Sequence, residues 1–61
     1  MKTKQFVALL KRNGCILLRS GGKHDIWCNP KTKQKYAIPR HQSKELSRHI
    51  EAEAREVLGI E

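Results

Sequence analysis

The residue with the widest chemical reach in this chain is His24, which follows two glycines in the run Arg19-Ser20-Gly21-Gly22-Lys23-His24-Asp25-Ile26-Trp27. An imidazole can both take and give a proton near neutral pH. Arg19 and Lys23 stand beside it, and Lys33 and Lys35 follow. Cations that hold an anion next to a proton-transfer group suit chemistry on a phosphodiester. Metal-free cleavage of RNA needs a base for the 2′-OH proton, an acid for the leaving 5′-oxygen and cations for the charged phosphorane. His24 is the candidate for proton transfer, and Arg19 and Lys23, with Lys33 or Lys35, are candidates for holding the phosphate. The second proton-transfer role stays open between His41, a lysine and water.

The remaining chemically capable residues divide between functional and structural readings. His41 either meets a substrate phosphate beside the positive N-terminus of a following helix or bonds a loop carbonyl. His49 falls near an apolar stripe and reads as structural. Trp27 reads as core rather than as a platform for a base. Lys31, Lys33 and Lys35 alternate as an RNA track would, or as a solubilised sheet edge would. Carboxylates are too sparse for a two-metal hydrolytic site. Cys15 and Cys28 form no Cys-x-x-Cys and have no His-x3-His to complete a zinc set. Neither a metal nor another cofactor is expected, and both cysteines are expected to be free thiols.

Charge placement names the class of partner. The 61 residues carry a formal charge of +7. Residues 1–50 hold twelve of the thirteen Lys and Arg against Asp25 and Glu45, a local charge of +10, whereas residues 51–61 set Arg55 against four glutamates. A basic body calls for an anionic partner, nucleic acid first and a membrane surface second. No apolar run approaches the ~20 residues that span a bilayer, and Met1-Lys2-Thr3-Lys4 does not lead into a signal-peptide core. A cytoplasmic location is expected. A single domain of this size buries only about 60% of its unfolded surface, so a substrate is expected to lie across an exposed face, and a partner protein to add stability.

Five elements must position these residues. Thr3 is placed to cap a helix running to about Asn13, with Phe6, Leu9 and Leu10 as its apolar stripe and Gly14 as its left-handed exit. Residues 15–19 read as a strand, and Gly21-Gly22 as a two-residue hairpin loop that returns residues 23–28 antiparallel. That register pairs Ser20 with Lys23, Arg19 with His24 and Cys15 with Cys28, and it sets Arg19 beside the imidazole. Residues 29–32 turn the chain into a third strand that ends at Ile38 before Pro39. Ser43 is placed to cap a second helix with Leu46, Ile50, Ala54 and Val57 or Leu58 at helical spacing, stopped by Gly59.

The order αβββα implies an α+β fold, a three-stranded antiparallel sheet with both helices on one face and the other face open. Period-two alternation turns Trp27, Tyr36 and Ile38 toward the helices and puts His24, Lys33 and Lys35 on the open face. The alternative parity buries Ile26 and Cys28, and His24 with them, because glycine hairpins often carry bulges.

Asn13-Gly14, the Arg19 strand, Gly21-Gly22-Lys23-His24, an aromatic three residues on, Asn29-Pro30, Ile38-Pro39-x-His41 and a last helix ending Leu58-Gly59-Ile60 closely resemble the HicA-type toxins of toxin–antitoxin systems. The resemblance covers nearly the whole chain as one domain, residues 1–61. It implies a double-stranded-RNA-binding-domain-like fold, an mRNA-cleaving activity on single-stranded RNA, and inhibition by a HicB-type antitoxin that covers the active face. The family's catalytic histidine carries over to His24. Lys23 stands where many members have serine, and Leu46-Ser47-Arg48-His49 where many have a glycine. The alternative is a non-catalytic module that binds structured RNA by shape on the same basic surface. A small partner-binding subunit without nucleic acid would explain the apolar stripes but not the basic body.

Overall fold

The computed structural model describes residues 1–41 and 44–60. Helix α1 (Thr3–Arg12) is followed by strands β1 (Ile16–Ser20), β2 (His24–Asn29) and β3 (Gln34–Pro39) and by helix α2 (Arg48–Leu58). The strands form one antiparallel sheet in the order β1-β2-β3. This is the expected α+β architecture.

Helix α1 forms because Thr3, Phe6, Val7 and Leu10 recur on one face, and all four are buried. Thr3 does not cap it. The N-cap is Lys2, whose backbone N–H donates to Gln5 Oε1 at 2.9 Å. Thr3 is instead buried and donates both its backbone N–H and its hydroxyl to the Lys44 carbonyl. Lys2 and Glu45 form an antiparallel bridge, and Leu46 N–H donates to the Met1 carbonyl. Residues 44–46 are therefore extended against the N-terminal segment rather than helical.

That pairing moves the start of α2. Its N-cap is Ser47, whose side chain accepts from His49 N–H at 3.2 Å, whereas Ser43, the expected cap, lies outside the described residues. Leu46 still reaches the core, from extended backbone. The helix ends as expected at Gly59, with φ 65°, and Ile60 N–H donates back to the Arg55 carbonyl. Gly14 likewise provides the left-handed exit of α1 at φ 85°.

Phe6, Leu10, Trp27, Ile38, Leu46, Ala54 and Leu58 belong to one buried cluster, so both helices cover the same sheet face. Burying each large side chain contributes about 1.5–3 kcal/mol before entropy is counted. Within this cluster Trp27 and Ile38 face the helices as parity requires, and Tyr36 packs half-buried at its margin. Asn29 is buried too, on the same side as Trp27. His24, Ile26 and Cys28 occupy the alternate positions of β2, toward the open face. The alternative parity is not adopted.

Candidate functional site

The hairpin register differs from the simple two-glycine reading. Ser20 pairs with Asp25, Arg19 with Ile26, Leu17 with Trp27 and Ile16 with Cys28, with the register shifting between Leu17 and Arg19. Leu18 is the extra residue of a bulge. Arg19 therefore does not pair with His24, nor Ser20 with Lys23, nor Cys15 with Cys28. Because Ile26 and His24 share a face, Arg19 stands diagonal to the imidazole rather than opposite it, a separation of about 7–8 Å between Cα atoms in regular sheet.

His24 opens β2, opposite Pro39 on β3, and is exposed. Its carbonyl accepts from Gly21 N–H at 2.8 Å, which closes the turn. A Cβ added at Gly21 would lie 3.0 Å from that carbonyl oxygen, tighter than nine in ten real Cβ contacts, so a side chain there would press on the closure. Lys23 is exposed in the same turn.

The other predicted cations are not drawn to the imidazole. Lys35 pairs with Cys28 and shares the open face, but Cys28 is four residues along β2, roughly 13 Å from His24 at the rise of a strand. Lys33 is not in β3 at all. It sits in the preceding turn at φ 60°, with its N–H donating to the Asn29 carbonyl at 2.7 Å. His41 is exposed just beyond Arg40, near the end of the sheet that holds His24. His49 is solvated on α2, its Nε2 3.4 Å from Glu53 Oε2, so it belongs neither to the core nor to this face.

Arg40, which the sequence did not mark, holds the turn together with Asp25. Arg40 Nε donates to Asp25 Oδ1 at 3.0 Å, and another guanidinium nitrogen donates to the Gly21 carbonyl. Arg40 backbone N–H donates to the Lys23 carbonyl at 3.2 Å. In the sequence Arg40 is only the variable position of Ile38-Pro39-x-His41, and nothing local marks its partners.

The open face is mixed in character. Ile26 and Cys28 are half-buried and Ala37 and Ile16 are exposed beside them, while Leu17, opposite Trp27, and the bulge residue Leu18 are exposed along the β1 edge. Arg19 and His24 frame one end of this apolar centre and Lys35 the other, with Lys23 in the turn before His24.

An exposed histidine on a glycine turn, opposite Pro39 in an αβββα chain, joins in space the two segments that carried the family resemblance. A family model described as HicA toxin of bacterial toxin-antitoxin matches residues 3–60. The chain belongs to the HicA toxin family. It is thus a toxin of a toxin–antitoxin system, and membership implies an antitoxin partner. No curated protein and no solved structure matches the chain. Among the described residues of this HicA-family chain, no helix is long and apolar enough to cross a membrane.

Proposed function

We propose that this HicA-family toxin is a metal-independent endoribonuclease that cleaves mRNA, with His24 as the proton-transfer residue, and that a HicB-type antitoxin neutralises it in the cytoplasm by covering the open face. The observation that carries the reading is the exposed imidazole of His24 on a closed glycine turn, with Lys23 adjacent and Arg19 diagonal to it. In this scheme His24 takes the 2′-OH proton as the 2′-oxygen attacks the neighbouring phosphorus. The bond to the 5′-oxygen breaks, a proton donor completes the leaving hydroxyl, and a 2′,3′-cyclic phosphate remains. Arg19 and Lys23 stabilise the charge that develops on the phosphorane. Lys35 and Lys33 lie too far along the sheet for that role and hold flanking phosphates instead, while His41 contacts RNA at the near end.

The test compares His24→Ala with the unaltered chain on single-stranded RNA. Cleavage and growth inhibition are expected to be lost while RNA affinity and the far-UV spectrum hold. Equal cleavage rates would remove His24 from the mechanism. RNA binding without cleavage in the unaltered chain would favour a binding module.

A further inference from the structure

The turn that carries His24 contains two glycines, the residues that lose the most conformational freedom on ordering. A turn of this composition needs external contacts to hold one geometry. Its strands supply few near the tip, because β1 ends at Ser20 and β3 at Pro39, whose ring nitrogen has no hydrogen to donate.

The next residue provides those contacts. Arg40 reaches positions 21, 23 and 25 at once: its guanidinium bonds the Gly21 carbonyl and the Asp25 carboxylate, and its backbone N–H bonds the Lys23 carbonyl. These three positions alternate with Gly22 and His24. Arg40 thus grips the turn and leaves the imidazole free on the other side. The Asp25 side chain is only 17% exposed, which strengthens a charge-assisted bond relative to one in open water.

The choice of side chain is specific. Guanidinium is a rigid planar fork that can donate in two directions from fixed nitrogens, whereas an ammonium is a point charge on a flexible stem. Here the fork spans Asp25 and Gly21 together. The pair also commits the one carboxylate next to His24 in sequence, so Asp25 serves the turn rather than the imidazole.

We propose that Arg40, anchored on Asp25, is the positioning residue of the site: it clamps the Gly21-Gly22-Lys23 turn so that His24 is presented to the substrate in one place. This rests on the proton-transfer role of His24 given above. Displacing a reacting group by about 1 Å can cost up to roughly a hundredfold in rate, and that is the loss a released turn would produce.

The experiment measures single-turnover cleavage, RNA affinity and amide hydrogen exchange in Arg40→Ala, Arg40→Lys, Asp25→Asn and His24→Ala chains. Arg40→Ala is expected to slow cleavage by roughly tenfold to a hundredfold, to change RNA affinity less than about threefold, and to speed exchange at the Gly21 amide. Arg40→Lys keeps the charge and should be nearly as slow, while Asp25→Asn keeps an acceptor oxygen and should lose less. Full cleavage in Arg40→Lys would mean that the charge alone matters and would overturn the clamp. Unchanged exchange at Gly21 in Arg40→Ala would overturn it equally. If Arg40→Ala does not fold, Asp25→Asn decides: an unaltered rate together with unaltered Gly21 exchange removes the proposal. Retained cleavage in His24→Ala would sink the catalytic reading, while the exchange data would still report on the clamp.

Discussion

The buried side-chain amide of Asn29 donates to the Leu58 carbonyl at 2.6 Å, fastening the end of β2 to the last turn of α2. Its Oδ1 meanwhile accepts from Lys31 N–H at 3.0 Å and shapes the turn into β3. One side chain thus satisfies an otherwise free helix carbonyl and a turn amide, and it does so on the helix side of the sheet, away from His24. Asn29→Ala is expected to destabilise the fold by about 1–3 kcal/mol, the cost of leaving a buried polar group unpaired. Urea unfolding measures this, and a loss under about 0.5 kcal/mol, the range of ordinary surface changes, would show the bond to be incidental.

The two thiols should separate in reactivity. Cys15 is buried, and burial first, then the neighbouring Cys28, pushes its thiol pKa up. Cys28 is half-buried on the open face. Iodoacetamide should modify Cys28 before Cys15, because the thiolate is the nucleophile and access to it is required. Bound RNA should slow the reaction at Cys28 alone. Mass mapping of the adducts tests both points, and RNA that leaves the Cys28 rate unchanged would place the nucleic acid elsewhere.

The Tyr36 hydroxyl donates to Glu53 Oε1 at 2.8 Å and links β3 to α2. That hydrogen bond, with smaller contributions from burial and the Glu53 charge, raises the phenol pKa above its ordinary value. The folded chain therefore holds the proton more tightly than the unfolded chain. The resulting stability is fully present below about pH 10, the unfolded value, and is lost as pH rises through the folded pKa. Tyr36→Phe should lower stability by under ~1 kcal/mol at neutral pH for so exposed a bond, with the gap to the unaltered chain closing above about pH 10. A gap that is constant from pH 7 to 11 would mean the bond does not form in solution.

Much of the arrangement was legible from residue pattern alone. Phe6 and Leu10, then Ala54 and Leu58, repeat at helical spacing, and Trp27 and Ile38 are bulky residues on the adjacent strands β2 and β3. Burying them puts Trp27 under the helices, and period two then puts His24 outside. Gly14 and Gly59 marked the two helix exits because each exit needs a positive φ. What tertiary structure decided depends on contacts between distant residues. Strand β1 is exposed along its whole length, so no burial pattern dictates its register, and the bulge at Leu18 moves Arg19 from His24 to Ile26. The helix α2 starts at the Ser47 cap because Glu45 and Leu46 pair with the N-terminal segment more than forty residues away. Arg40 reaches Asp25 and Gly21 across fifteen and nineteen positions of sequence, a contact that exists only once β2 and β3 have paired.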